Sequence, residues 1–391
     1  MLPGHCSCDC YRPLISRAVP VLSLSAGLQP KFRERLVMTS VGAKREAADE
    51  PDKRPEKAAK GDSDSASSSA ATHQFSLLSG AFGNKGMKAT LEDVEVQVHD
   101  LCAYSASLHG VRAAFYAVFD GHAGRNAADF CAENMARCIA VKIQKPLDNE
   151  NVRAAIRDGF RETGSSSGSP MARSRRQSIE MSLQYDSPVF PLTSLRMICH
   201  ADKLFLGLAA EKGWTDGCTA VTVTVINDVC FVGWVGDSKA ILVRRETDED
   251  DARLKILELT SDHTCIKAKE RERIVKAGGF VQDNRVNGIM EVTRSIGDAA
   301  LKKAGVSSTP ELQRVTLCTR DEFLLLACDG LWAVFDKDDA CQKAFKGLQA
   351  GIEPQEVAMS LVREAIRGRQ AHDNVSAMIV RVRTRDDAPP Q

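Results

Sequence analysis

The stretch FYAVFDGHAG, Phe115 to Gly124, constrains this chain more than any other. Its first half is apolar throughout and too short for a helix, so it reads as a buried strand that ends by delivering the Asp120 carboxylate to the mouth of a sheet. Gly121 lets the backbone approach closely, so that its carbonyl can meet a hard cation beside the Asp120 oxygens. His122 follows, the one side chain whose unperturbed pKa lets it give or take a proton near neutrality. Alone, Asp-Gly after an apolar run is a hairpin signal. The chain repeats the arrangement, however, at Glu92-Asp93, Gly236-Asp237, Asp329-Gly330 and Asp373-Asn374, each where an apolar strand starts or stops.

One acid at a strand end is a turn; five from stretches far apart in sequence imply strand ends that converge. Carboxylates brought together repel one another unless cations neutralise them. A donor set of oxygens, with no His or Cys pairing, suits Mg²⁺ or Mn²⁺ rather than zinc. Two such ions, typically about 3.5–4 Å apart, share a carboxylate and acidify a water into a nucleophile at neutral pH. The reaction class is in-line hydrolysis at phosphorus, and the acids alone leave phosphatase, nuclease and polymerase open.

Lys+Arg and Asp+Glu both number 52, and this zero formal charge argues against a nucleic-acid partner. No apolar run reaches membrane-spanning length. The 13 cysteines are scattered and odd in number, which fits buried reduced thiols rather than a disulfide framework. Cys6, Cys8 and Cys10 lack zinc-finger spacing.

Residues 1–72 read as a disordered tail, charged and then Ser-rich (GDSDSASSSA). Within it, 1–37 has the composition of a transit peptide, although Met38 is an alternative start. We expect a cytoplasmic or nuclear protein, with a mitochondrial one as the alternative. One folded domain is expected over 73–384, followed by a short tail at 385–391. A strand is predicted over 93–99, helices over 127–143, from 151, and from about 200, and strands in CTAVTVTVIND, VCFVGWVGDS and KAILVRRE. A polar loop then leads to the helix KAKERERIVKAGG, closed by Gly278 and Gly279. FLLLACDG is a second buried run; helices follow from about Asp338 and from Pro354, and HDNVSAMIVRV supplies a last strand. The Gly/Ser/Pro- and Arg-rich stretch at 163–200 reads as a mobile insertion.

The motifs FYAVFDGHAG, DGCTAVTV, VGDSKAIL, ERERIVKAGGFV, RVNGIMEVTRSIGD, LLLACDGLW and HDNVSAMIV occur in this order over about residues 74–384. Together they resemble the metal-dependent serine/threonine protein phosphatases of the type 2C (PPM) class. The run GDAALKKAGVSSTPEL is most similar to the branch containing the integrin-linked-kinase-associated phosphatase. The resemblance implies an α+β fold, a β-sandwich of two antiparallel sheets flanked by helices in four αββα layers, with two metals in a cleft at one end. It implies a monomer acting on phosphoprotein substrates, without a phosphoenzyme intermediate. Asp120 would bridge both ions, Asp329 and Asp373 would complete one site, Glu92 and the Gly121 carbonyl the other, and Asp93 would act through bound water. His122 would be the general acid, and Asp237 matches a ligand of a third, weaker metal.

Two positions depart from the family pattern. Lys88 stands where an arginine usually grips the substrate phosphate, supplying charge without the bidentate fork. Ala333 stands where many members carry an acid that assists the third metal.

Rival readings are weaker. CAENMAR (Cys131 to Arg137) and CIKAKER (Cys265 to Arg271) have the Cys-x5-Arg spacing of cysteine phosphatases, but neither contains the glycine a tight phosphate loop needs, so both read as helix. A binding protein that kept the fold and lost the chemistry is disfavoured because every core acid stands together with His122. His263, beside Asp262, reads as structural. In the insertion, Ser178 after Arg175-Arg176 resembles the site of a basophilic kinase, Ser187-Pro188 that of a proline-directed one, and VFPL (Val189 to Leu192) a tether to the core.

Overall fold

The structure, a computed structural model, describes residues 75–161, 201–249 and 253–384. The expectations for the N-terminal tail with its three cysteines, for the insertion with Ser178, Ser187 and VFPL, and for the last seven residues lie outside the described residues.

Two five-stranded antiparallel sheets face each other. The first runs β1 (Phe75–Asn84), β15 (Val375–Thr384), β14 (Asp321–Ala327), β8 (Lys239–Arg245) and β9 (Leu254–Glu258) from edge to edge. The second runs β13 (Glu311–Thr316), β7 (Val229–Val235), β6 (Ala220–Ile226), β3 (Ala113–Phe119) and β2 (Val94–Val98). The helices α1 (Asn126–Ala140), α2 (Asn149–Phe160) and α3 (Ala201–Lys212) pack on the outer face of the second sheet, and α7 (Lys337–Gln349) and α8 (Pro354–Arg367) on that of the first.

This layering explains why the key strands carry no polar alternation: they are buried on both faces. In β3, Ala114, Tyr116 and Val118 point into the space between the sheets while Phe115, Ala117 and Phe119 meet the helices. In β14, Leu324 and Leu326 face the sandwich interior and Phe323, Leu325 and Ala327 face α7 and α8. Each sheet is thus shielded from water on one side by helices and on the other by its partner sheet.

The smaller elements frame one end of the sandwich. β4 (Gly121–His122), β5 (Gly217–Cys218) and β12 (Ile296–Gly297) form a three-stranded ribbon, and β10 (Val281–Gln282) pairs with β11 (Arg285–Val286) in a flap after α4 (Ala268–Lys276). The short helices α5 (Ala299–Lys302) and α6 (Asp329–Trp332) follow β12 and β14. The expected αββα sandwich is therefore the observed fold.

One local expectation is corrected. β9 lies within the segment read as a polar loop; its alternating Leu-Lys-Ile-Leu-Glu pairs with β8 at the sheet edge, exposed enough to tolerate the charges. Asp329-Gly330, at the end of the second buried run, opens α6. Asp120-Gly121, a hairpin signal only when taken alone, forms no hairpin: β3 pairs with β2 and β6 while β4 turns aside to pair with β5. Gly278 does close α4, adopting φ +93°, with the Gly279 amide donating to the Ile274 carbonyl.

Candidate active site

A cleft of about 720 Å³ opens at the framed end of the sandwich, lined by Lys88, Glu92, Asp120, Gly121, His122, Asp237, Asp329 and Asp373. All the residues singled out from the sequence line it except Asp93, which is buried beside it. Asp120 stands at the end of β3 and Asp329 one residue past Cys328 at the end of β14, so the two carboxylates come from the central regions of opposite sheets. Asp237 lies in the three-residue link that carries the chain from β7 in one sheet to β8 in the other.

Carboxylate oxygens of Asp120, Asp237 and Asp329 lie within 4.8 Å of one another. Asp237, expected at a third and weaker site, thus shares the central cluster. Asp93 and Asp120 form a second group of the same tightness with the Cys328 sulfur. Asp93 is buried, and neither of its oxygens has a hydrogen-bond partner. An orphaned buried carboxylate is costly unless it is protonated or meets a cation. Glu92 and Asp373 stand further out on the wall of the cleft. The Asp373 Oδ1 accepts from the Asn374 amide at 2.7 Å and pairs with Lys88 Nζ at 3.0 Å.

Asn374, unassigned from the sequence, holds that wall together. Its side-chain amide donates to the carbonyls of Lys85 and Thr90, and its Oδ1 accepts from the Glu92 amide at 2.7 Å. One side chain thereby fixes the loop bearing Lys88 and Glu92 against the start of β15. Gly330 is required here because a Cβ would lie 1.9 Å from the Asn374 carbonyl oxygen.

The cleft lining carries seven carboxylates against the cations of Lys88 and Arg285, and the electrostatics follow. Burial raises Asp120 well above the usual carboxylate range, reinforced by the charges of Asp93, Asp329, Asp237 and Asp373. Burial likewise pushes Asp93 and Asp237 to about 7, and burial with the Asp373 charge raises Asp329. Such a site repels a phosphate dianion unless positive charge enters first. The donors fit hard divalent cations: they are nearly all oxygen, tightly grouped, and include one buried carboxylate whose only neighbouring donors are the Ser376 hydroxyl and the Cys328 thiol.

His122 sits on β4, where the ribbon places it beside Asp298, a residue the sequence reading passed over. Its Nε2 lies 2.9 Å from both Asp298 oxygens. Asp298 also accepts from Ser295 Oγ at 2.5 Å. Gly217 makes room for this carboxylate, since a Cβ there would lie 2.1 Å from its Oδ2. Burial by itself would lower the imidazole pKa; the Asp298 hydrogen bond and the charges of Asp298, Asp237 and Glu92 outweigh it and hold His122 above its usual value. The signal was present in the motif RSIGD, another Gly-Asp at a strand end, but its preceding strand is only two residues long.

The rival sites are ordinary core. Cys131 is buried within α1, and Cys265 is buried just before α4 with its thiol pKa raised by burial. Cys328, although beside the acids, is pushed well above the normal thiol range by burial. Cys265 and Cys328 thus lack the low-pKa setting of a nucleophilic cysteine. His263 is buried against Trp234, accepts from the Gly236 amide through Nδ1, and is lowered to about 3 chiefly by burial, as befits a structural group. Among the described residues, no helix is long and apolar enough to cross a membrane.

Both the sandwich and its acid-lined cleft are those of a phosphatase family. The pattern of Protein phosphatase 2C matches residues 79–181 and 196–375, and the chain belongs to that family of metal-dependent serine/threonine protein phosphatases. It is 33% identical to a probable protein phosphatase 2C 8 of Arabidopsis thaliana, over 76% of each chain. It is 30% identical to the integrin-linked kinase-associated serine/threonine phosphatase 2C of Bos taurus, over 95% of this chain and 94% of that one. In fold it is similar to a serine-threonine phosphatase 2C from Toxoplasma gondii, with a TM-score of 0.56 at 19% identity, covering 78% of this chain and 94% of that one.

Proposed function

We propose that this chain hydrolyses phosphoserine and phosphothreonine in proteins in one displacement by water, between two divalent cations and without a phosphoenzyme. The observation that carries the reading is the tight group of Asp120, Asp237 and Asp329 oxygens beside the orphaned Asp93. Asp120, central to both acid groups, would be the ligand common to both ions; Asp329 and Asp373 would hold one ion, Glu92 and the Gly121 carbonyl the other, and Asp93 would act through water. Asp237 is close enough to Asp120 and Asp329 to join them directly, and Ala333, exposed on α6's C-terminal side, offers no ligand. Mg²⁺ or Mn²⁺ bound here supplies Lewis acidity that neutralises the phosphate and acidifies the attacking water.

The remaining work belongs to the chain's own side chains. His122, whose pKa the Asp298 hydrogen bond raises against the effect of burial, donates its proton to the departing seryl or threonyl oxygen. Asp298 orients the imidazole through Nε2, so delivery to substrate requires either the Nδ1 face or a shift of the ring away from the carboxylate. Lys88 offers the phosphate a point charge from the cleft wall, and must exchange Asp373 for the substrate to do so. Lys88→Arg is expected to lower KM for a phosphopeptide by supplying the missing fork; an unchanged KM contradicts that role. The zero net charge supports phosphoproteins rather than nucleic acids as substrates.

The direct test is hydrolysis of a phosphothreonine peptide with Mn²⁺. EDTA should abolish it, iodoacetamide should barely affect it, and Asp329→Asn should remove most of it. Loss on alkylation with survival in EDTA would overturn the reading. The Asp329→Asn protein, used as a bait for phosphoproteins, would then identify substrates.

A further inference from the structure

A cavity of about 330 Å³ lies at the other end of the first sheet, and the catalytic reading makes no use of it. Strand alternation builds it. In β8, β14 and β15 the residues Val243, Phe323 and Ile379 face α7 and α8. Continuing along the same face stand Arg245 in β8, and Arg381 and then Arg383 in β15. All three line the cavity, together with Gln349, the last residue of α7. Where α7 ends, the aliphatic side chains of this face thus give way to guanidinium groups.

Against these arginines the described lining sets two carboxylates, Asp321 and Glu322. Asp321 is committed elsewhere. Its Oδ1 and Oδ2 accept from Nε and Nη2 of Arg244 at 2.6 and 3.1 Å, and Oδ2 accepts from the Cys318 amide at 2.8 Å. Arg244 is not part of the lining, so this bidentate pair cancels a negative charge of the cavity and none of its positive ones. Glu322 pairs with Arg245 at 2.6 Å, both side chains largely covered. Arg320 adds a further positive charge nearby, its carbonyl accepting from the Arg245 amide at 2.8 Å. The cavity is therefore left with an excess of positive charge. Guanidinium groups held together repel one another unless an anion joins them, the converse of the acids in the cleft.

We propose that this cavity binds a phosphoryl dianion, either inorganic phosphate or the phosphate of a phosphorylated residue, through Arg381 and Arg383, with Glu322 holding Arg245 beside them. Planar guanidinium forks match phosphate oxygens in pairs, and the volume leaves room for the group that carries the phosphate. Among the described residues the one aromatic of the lining, Phe75, is buried and presents no face on which a base could stack, which argues against a nucleotide. The site is separate from the cleft: β14 runs from Asp321 at the cavity to Ala327 near the acids, a span of about 20 Å. It therefore stands independently of the chemistry proposed for the cleft. The two are nevertheless joined by the same strands, since β8, β14 and β15 border Asp237, Asp329 and Asp373 at one end and the arginines at the other.

The test is calorimetric titration of the full chain with inorganic phosphate, in buffer free of phosphate and sulfate, once with Mn²⁺ and once in EDTA. Without metal the acids of the cleft repel phosphate, so the binding that survives EDTA belongs to a site outside it. Arg383→Ala should weaken that binding by about tenfold, the loss expected for charge-assisted hydrogen bonds, and Arg383→Lys should recover only part of it. Thr319→Asp adds a carboxylate at an exposed position of the lining and should weaken phosphate comparably. Because Thr319 is exposed, this variant keeps the test decisive even where Arg383→Ala fails to fold. Acetate should bind at least tenfold more weakly than phosphate. A phosphoserine peptide, titrated in EDTA, separates the two sources. Tighter binding than inorganic phosphate assigns the cavity to a phosphorylated protein segment, and equal or weaker binding assigns it to the free anion. Absence of phosphate binding in EDTA would overturn the proposal, as would binding that Arg383→Ala and Thr319→Asp both leave within twofold of the starting protein. Acetate bound as tightly as phosphate would also overturn it, by reducing the cavity to a general positive patch.

Discussion

His122 and Asp298 lie 176 residues apart in sequence and form the pair to which the proposed mechanism assigns proton delivery. Removing the acid should cost most where the leaving group needs a proton. His122→Ala is expected to lower kcat on a phosphopeptide by about 10²–10⁴-fold, and to lower it much less on p-nitrophenyl phosphate, whose phenolate leaves unaided. Equal losses on both substrates would deny His122 this role. Asp298→Asn removes the main influences that raise the imidazole pKa, so the alkaline limb of the pH–rate profile should move to lower pH. A limb that stays in place would reduce Asp298 to a structural contact. Most residues of the cleft were legible in the sequence because each is a charged group at the end of a long apolar run. Asp298 was not, since its strand is too short to show periodicity and its partner is remote. Asn374 was hidden for another reason: its role is to bond three backbone groups, and backbone positions leave no trace in side-chain pattern.

At the scale of elements, the buried strands were legible and their edges were not. β3 and β14 declare themselves by unbroken apolar runs because both of their faces are covered. β9 is half-exposed at an edge, so its lysine and glutamate imitate a loop. The four-residue α6 is too short for helical periodicity and begins with Asp-Gly, a turn signature, yet it decides where Asp329 points. Gly330 in its first turn allows α6 to lie against the start of β15. Gly330→Ala should therefore force the two apart, lowering stability by about 1–3 kcal/mol and weakening Mn²⁺ binding as Asp329 is displaced. Gly207→Ala, at an exposed position in α3 with open space around it, is the control and should stabilise by about 0.5–1 kcal/mol. Thermal melting with Mn²⁺ titration checks both. Unchanged metal affinity in Gly330→Ala would mean that α6 does not set the Asp329 position.

For the molecule as a whole, the sandwich spends stability to bring its acids together. Asp93 and Asp237 have folded-state pKa values pushed to about 7, above the unfolded value of about 3.9. The folded state therefore binds more protons between these limits. Its advantage is complete below about pH 4 and is lost as pH rises through 7. The contribution of these two groups should make the metal-free protein less stable at pH 8 than at pH 5.5. Cations that bind only the folded form offset that loss, so Mn²⁺ should raise the melting temperature more at pH 8 than at pH 5.5. Equal shifts at the two pH values would show that the buried carboxylates are not what the metal neutralises. The claim beneath all of this is that acids from both sheets surround a pair of divalent ions with Asp120 between them. Anomalous X-ray scattering from crystals of the Mn²⁺-loaded protein tests it most directly. The account predicts two manganese peaks about 3.5–4 Å apart, both in contact with the Asp120 carboxylate; manganese bound away from Asp120, or no manganese in the cleft, would contradict it.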